Sequence, residues 1–431
     1  MSHRPRSATV LSCALLMAPL AVASAACSGS MAGDPSARPY DATNQISANL
    51  GGKGRDADPD KPLEISVKDD DARITDVTAT DASGRQLQGR LSEDGRKWRT
   101  TAPLAAGAHY SVHVSTENED GDPGRKVFDV RTRDADSSRL KVTFGPESGT
   151  YGVGQPITAT LDRPVKERSA RAVVERALRV DTVPGVEGSW YWVDDKTLHY
   201  RPREYWPAHA TIRVHSNLQG LKVSKGLYGG EAKALKLQTG DAIEAVTDAG
   251  AHNLKLIRNG EVVKTLPVTT GKPGYATRNG VKVILGKEAF VRMRSSTVGI
   301  AAGSADSYDL PVHWATRVTR SGEYVHAAPW SVGSQGFANT SHGCTGMSTE
   351  NAKWFFDQVH IGDIVKVVGS EGDTMTPFDN GYGDWNLSWA KWQEGSALSG
   401  KKPAKPQPKN QHEDERLEKA DSGAARLRPQ V

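Results

Sequence analysis

Cys344 is the residue of this sequence with the clearest chemical potential. It closes the run Ser341-His342-Gly343-Cys344, with His326 upstream. A cysteine nucleophile needs a base to form its thiolate and donors to stabilise the tetrahedral oxyanion. His326 and His342 are both candidate bases. Gly343 lets the backbone approach a substrate closely and aim N–H groups at it. A helical pattern begins near Ser348, and a helix N-terminus close to the thiol would favour the thiolate. Zinc is the competing use of the same residues, because His326, His342 and Cys344 are all ligand types. Zinc sites usually bring more ligands at short repeated spacing, and no fourth is evident nearby. The expectation from spacing is therefore a metal-free thiol site.

Three cysteines occur, Cys13, Cys27 and Cys344. The N-terminus bears on their fate. Arg4 and Arg6 precede an apolar run from Ala8 to Ala23, and Ser24-Ala25-Ala26 follows. A basic start, an apolar stretch and small residues form a secretion signal. The run is too short for a comfortable membrane span. Ser24-Ala25-Ala26-Cys27 resembles a bacterial lipobox, which would make Cys27 a lipidated first residue; Ala23-Ser24-Ala25 is the alternative, a site for an ordinary signal peptidase. With Cys13 removed and Cys27 lipidated, Cys344 is the one thiol left. A leftover thiol in an exported protein is a candidate for reactivity, and the bland alternative is a small buried hydrophobe. The net charge of +4 over 431 residues gives no case for a nucleic-acid partner.

The elements that must position these residues are mostly strands. Residues 1–26 are expected to be the signal peptide and 27–60 a flexible linker rich in Gly, Ser, Asp and Pro. Short alternating segments then begin, such as Leu63–Val67 and Tyr110–Val114, divided by turn residues. Ala108-His109-Tyr110-Ser111-Val112-His113-Val114 matches Ala208-His209-Ala210-Thr211-Ile212-Arg213-Val214 at an offset of 100 residues. That offset suits two tandem immunoglobulin-like sandwiches, 61–136 and 137–239. The aromatics Trp190, Tyr191, Trp192, Tyr200, Tyr205 and Trp206 are expected to pack inside the second sandwich rather than stack on glycans. The third unit, 240–369, contains a hairpin at Asn259-Gly260. It also contains one helix, capped by Ser348, with Ala352, Phe355, Phe356 and Val359 on one face. Trp385, Trp389 and Trp392 are spaced as one helical face, so 370–398 is expected to dock on the unit before it. Residues 399–431 have almost no apolar content and are expected to be disordered.

The stretch from Val312 to Val367 resembles the catalytic domain of the L,D-transpeptidases, the YkuD-type fold. The resemblance rests on His326, the Gly-rich stretch after it, and Ser341-His342-Gly343-Cys344. Trp314-Ala315-Thr316, Ala328-Pro329-Trp330-Ser331-Val332-Gly333 and Gly362-Asp363-Ile364-Val365 support it, especially toward mycobacterial-type members. Two preceding sandwiches and a tryptophan-rich tail fit that subfamily's architecture. The fold class expected is mainly β: two immunoglobulin-like sandwiches, then a β-rich catalytic domain with one main helix and a C-terminal tryptophan-rich segment.

The resemblance implies Cys344 as nucleophile and His326 as general base, oriented by the carbonyl of Ala327. It implies that Gly343 and Cys344 supply the oxyanion-hole N–H groups, that His342 shapes the loop, that Ser341 is among the catalytic residues, and that no cofactor takes part. Tyr308 and Met293 fall where relatives contact substrate from a flap, and Trp330 and Ser331 are taken as further substrate contacts. Val298 stands where some relatives have a second flap tyrosine, and Gly346 where relatives usually have asparagine. The implied partners are peptidoglycan tetrapeptide stems, as donor and acceptor, and carbapenem-type β-lactams as inhibitors. A lipid anchor would hold the enzyme on the outer face of the membrane, working in the cell wall. Two alternatives remain open: an L,D-carboxypeptidase using water as acceptor, and a non-catalytic cell-wall-binding lipoprotein.

Overall fold

The computed structural model describes residues 38–50, 56–82, 84–134, 138–301 and 303–400. The expected signal peptide, Cys27, and the tail beyond residue 400 lie outside the described residues. Among the described residues, no helix is long and apolar enough to cross a membrane.

The first sandwich shows how alternation becomes a core. Along His109–Glu117, Tyr110, Val112 and Val114 are buried while His109 and Glu117 are exposed. One sheet runs in the order Tyr40–Asp41, Pro123–Arg131, His109–Glu117, Arg73–Asp81. The other runs Ile46–Ala48, Glu64–Val67, Lys97–Thr100, Gly89–Leu91. Residues expected in the linker therefore belong to this sandwich: Tyr40 pairs with Gly124 and Ile46 with Val67. Strands of two and three residues carry too little periodicity to be recognised in sequence, yet Ala42 and Ile46 are buried in the core.

The second sandwich repeats the plan. Val142–Gly145, Ile157–Leu161, Thr197–Pro202 and Gly188–Trp192 form one sheet. Gly149–Tyr151, Leu235–Thr239, Thr211–Ser216 and Leu178–Val183 form the other. The matched segments thus supply an inner strand to each sandwich. Trp190, Trp192 and Trp206 are buried in the core, which agrees with packing rather than glycan stacking. A helix not expected from sequence, Arg168–Ala177, covers one end and buries Ala170, Val174 and Ala177. Those three are spaced by four and three, a helical face hidden by its brevity.

The catalytic unit has two sheets. Five strands run Glu261–Pro267, Asn253–Arg258, Ile243–Asp248, Ile364–Val368, Gly280–Val283; four run Gly286–Arg294, Asp309–Arg317, Tyr324–Ala327, Thr345–Met347. Asn259 and Gly260 both have positive φ, 50° and 87°, as a tight two-residue hairpin turn requires. The helix Thr349–Gln358 is capped by Ser348, whose Oγ accepts the Asn351 N–H. It buries Ala352 and Phe355 between the sheets.

The second sandwich and the catalytic unit are joined by backbone. Gly152 and Gly154 donate N–H groups to the carbonyls of Ile361 and Gly362, each at 2.9 Å. A Cβ on Gly152 would come within 2.1 Å of the Asp363 amide, and one on Gly154 within 2.1 Å of the Ile364 side chain. Only glycine permits this approach.

The tryptophan-rich segment docks differently from expectation. Trp385 lies in a 3-10 turn, Asp384–Asn386, and only Trp389 and Trp392 belong to the helix Trp389–Glu394. The segment lies on both units: its first part is bound to the catalytic unit, where Asn279 Nδ2 donates to Ser370 O and Gly372 O and Asn386 Oδ1 accepts the Val281 N–H, while the tryptophans also reach the second sandwich. Trp392 is fully buried and its indole N–H reaches Ser189 O at 2.9 Å; the Trp385 indole reaches Gly154 O at 2.8 Å. The guanidinium of Arg201 lies 4.8, 5.5 and 4.6 Å from the rings of Trp385, Trp389 and Trp392. Partners from two distant stretches of chain made this contact unreadable from spacing alone.

Candidate active site

The site forms where Tyr324–Ala327 runs parallel to Thr345–Met347, with His326 beside Gly346. Side chains alternate across a sheet, so residues two apart share a face. His326 and Ala328 on one chain segment, and Cys344 and Gly346 on the other, all line a cavity of about 390 Å³. Ser341, His342, Tyr308, Met293, Trp330 and Ser331 line it too. Leu310 and Val312, from the strand Asp309–Arg317, extend the apolar wall begun by Met293. These two, with Thr269, Ser334 and Thr340, were not anticipated, because nothing in their local sequence separates them from ordinary strand and loop residues.

His326 is buried, and its Nδ1 lies 2.8 Å from the carbonyl of Ala327. The carbonyl can only accept, so Nδ1 carries the proton and Nε2 is the basic nitrogen. Burial lowers the imidazole's pKa, partly offset by that hydrogen bond. The neutral ring is the resting form.

Cys344 is half-buried, and its thiol donates weakly to the carbonyl of Gly322 at 3.6 Å. Burial pushes the thiol up to about 12, against a lowering by the Tyr324 N–H. The resting pair is thus thiol and neutral imidazole. The expected help from the helix N-terminus is absent. The strand Thr345–Met347 separates Cys344 from the helix. Three strand residues span about 10 Å, beyond the last-turn range of a helix dipole.

Ser341 closes the loop on itself. Its hydroxyl donates to Cys344 O at 2.7 Å and accepts the Gly343 N–H at 3.1 Å. The Gly343 N–H, expected in an oxyanion hole, is therefore engaged within the loop. Gly343 serves through its φ of 116°, which turns the chain into the cysteine. Its carbonyl is held by Thr277 Oγ1 at 2.9 Å.

His342 stands between Tyr275 and Tyr308, at ring distances of 4.8 and 5.2 Å. Its Nε2 is 3.5 Å from Asp306 Oδ1, long for a hydrogen bond. Asp306 also takes Lys272 Nζ at 2.6 Å and the Tyr275 hydroxyl at 3.1 Å, and the lysine bond leads in lowering its pKa. Asp306 thereby ties the flap between Gly286–Arg294 and Asp309–Arg317 to the loop bearing Lys272. Tyr308 hangs from that flap, its hydroxyl pushed up to about 12 by burial and then by the nearby cysteine. Val298 lies in the flap's 3-10 turn, Ser295–Val298. Gly346 has little free space, since a Cβ there would meet Ala328 Cβ at 3.0 Å and Thr269 Cγ2 at 3.2 Å. Among the described residues, no three His, Cys, Asp or Glu side chains converge as metal ligands.

Residues 54–222 match the bacterial Ig domain family, and residues 243–367 match the L,D-transpeptidase catalytic domain, YkuD. The chain is 35% identical over 333 residues to L,D-transpeptidase 2 of Mycobacterium tuberculosis (strain CDC 1551 / Oshkosh), covering 77% of this chain and 80% of that protein. It is 41% identical over 228 residues to L,D-transpeptidase 1 of strain ATCC 25618 / H37Rv, covering 53% and 84%. A solved L,D-transpeptidase in complex with imipenem aligns over 54% of this chain and 100% of its own, at 39% identity and a TM-score of 0.47. With a relative matched along four-fifths of its length and the thiol–imidazole pair inside the matched catalytic region, this chain belongs to the L,D-transpeptidase family.

Proposed function

We propose that this L,D-transpeptidase cross-links peptidoglycan stems through a thioester on Cys344. The observation that carries the reading is one cavity holding both the Cys344 thiol and an imidazole, His326, whose Nε2 is unprotonated.

The resting thiol is protonated, so attack must be coupled to proton transfer. On substrate binding, Sγ turns from Gly322 O toward His326 Nε2, which takes its proton. Sulfur adds to the stem carbonyl that precedes the terminal D-alanine. The Cys344 N–H is the donor suited to the resulting oxyanion, since the Gly343 N–H is occupied. His326 returns the proton to the leaving nitrogen, D-alanine departs, and a thioester remains. The side-chain amine of an acceptor stem then attacks the thioester carbonyl. His326 takes the amine's proton and returns it to sulfur as the new amide forms. Met293, Leu310 and Val312 offer apolar contact to the stem, and Tyr308 and Trp330 flank it. A carbapenem would enter the same cavity and acylate the same sulfur through its strained lactam carbonyl.

Cys344→Ala should abolish cross-linking of tetrapeptide stems and the carbapenem mass adduct while leaving the melting curve close to native. Turnover retained by that variant would overturn the reading. Products then separate the transpeptidase from a carboxypeptidase: cross-linked dimers against tripeptide stems.

Cys27 is the proposed anchor point on the outer face of the membrane, supported by the lipobox-like run before it. Fractionation of cells expressing Cys27→Ser tests this. An unchanged membrane share would reject lipidation.

A further inference from the structure

Behind the nucleophile lies a buried charge cluster for which the reaction above has no use. Lys282 is completely buried on the strand Gly280–Val283, and Glu323 is buried just before the strand Tyr324–Ala327. Lys282 Nζ meets Glu323 Oε2 at 2.6 Å. The other carboxylate oxygen accepts the Arg278 backbone N–H and a guanidinium N–H, each at 3.2 Å. Burying a lysine–glutamate pair is costly, and apolar replacements often stabilise a fold equally well. Stability alone therefore gives a weak account of this pair.

Its position gives a better one. Glu323 sits between the two residues that touch the sulfur from behind. Gly322 accepts the thiol proton at 3.6 Å, and the Tyr324 N–H faces Sγ. Pinning the Glu323 carboxylate to two cations fixes that turn. The cluster's charge also matters. Lys282 and Arg278 offset the Glu323 carboxylate, which would otherwise stand unopposed beside a sulfur that must become anionic. Glu323 raises the thiol's pKa and Lys282 works against it.

We propose that Lys282, Glu323 and Arg278 form a positioning unit for the nucleophile, in which Glu323 holds the turn behind Sγ and its two cations offset the carboxylate's charge as the thiolate forms. The proposal deepens the reading of Cys344 as nucleophile and rests on it. The other titratable groups around Sγ are His326 on the adjoining strand, His342 in its own loop, Tyr308 from the flap, and Tyr324. Asp306 and Lys272 stand behind His342. None of them changes in the variants below.

The test is alkylation of Cys344 by iodoacetamide against pH, followed by peptide mass spectrometry on the full chain. It reads thiolate formation without requiring any substrate. Lys282→Met leaves the Glu323 carboxylate without its lysine and should raise the alkylation midpoint by about one pH unit, roughly a tenfold loss of rate below it. Adding Glu323→Gln to Lys282→Met removes the uncompensated carboxylate and should bring the midpoint back toward native. A purely structural role predicts no such rescue. Should Lys282→Met fail to fold, Arg278→Gln, at a more exposed position, should still raise the midpoint. Midpoints equal to native in the folded single variants, or a double variant no closer to native than Lys282→Met, would overturn the proposal. Failure of the transpeptidase reading shows elsewhere, as turnover retained by Cys344→Ala.

Discussion

The imidazole Nδ1 of His326 is 2.8 Å from the carbonyl oxygen of Ala327, its own neighbour in the chain. That contact sets the tautomer without any side-chain partner. Replacing Ala327 by Ser should leave acylation within about twofold, because a backbone carbonyl does not depend on the side chain beside it. His326→Ala should cost about 10²–10⁴-fold, the usual worth of a positioned general base.

The same residue sets the acid limit of activity. Burial holds the imidazole's pKa below its ordinary 6.5, so the basic form persists into mildly acidic solution. The acid limb of kcat/KM for a tetrapeptide stem should fall below pH 6.5. A limb centred above that value would contradict a buried, neutral base.

Ser341 should matter more than its small size suggests. Ser341→Ala removes the hydroxyl that donates to Cys344 O and accepts the Gly343 N–H. Leaving those groups unpaired costs about 1–3 kcal/mol. The loop is local, so acylation by a carbapenem should fall well before global unfolding is affected. Acylation kinetics beside a melting curve separate the two; an unchanged rate would show that the loop holds without its serine.

The catalytic unit should not stand alone. A fragment of residues 240–398 loses Arg201, Ser189 and Tyr191, which cover Trp392. It should aggregate or melt far below the full chain. Within the full chain, Arg201→Ala should destabilise by at least about 2 kcal/mol, since a desolvated cation over aromatic rings is worth that much. Fragment and variant are both checked by thermal denaturation. A fragment with native-like melting and acylation would show that the catalytic unit does not need the second sandwich.

Asp363, beside the glycine contacts between the two units, predicts a pH-dependent stability. Burial pushes its carboxyl from 3.8 up to about 7. The folded state therefore holds this proton more tightly than the unfolded chain does. Its contribution is fully present below 3.8 and is lost as pH rises through about 7. The full difference corresponds to about 4 kcal/mol at most. Asp363→Asn keeps an acceptor for the His360 N–H, which Asp363 Oδ2 takes at 2.7 Å. The variant should melt higher than native at about pH 8 and close to native at about pH 4. Equal differences at both would reject the assignment.

Much of this protein is determined by local sequence. Alternation placed Tyr110, Val112 and Val114 inward, because side chains of a strand take opposite faces. Ser348 and the apolar spacing after it marked the helix, because capping and periodicity are local. The run Ser341-His342-Gly343-Cys344, with His326 upstream, pointed to a thiol and its base before any coordinates. Tertiary structure decided what depends on residues far apart in the chain. It turned the Gly343 N–H to Ser341 and interposed a strand between Cys344 and the helix. It joined Lys282 and Glu323, 41 residues apart, in one buried ion pair next to the Gly322 carbonyl that Cys344 touches. It carried the tryptophans onto Arg201 of the second sandwich while Asn386, within the same segment, stayed on the catalytic unit. Neither burial nor a partner's distance is written in spacing: both arise only when separate stretches compete for the same interior, and that competition set the charge state of Cys344.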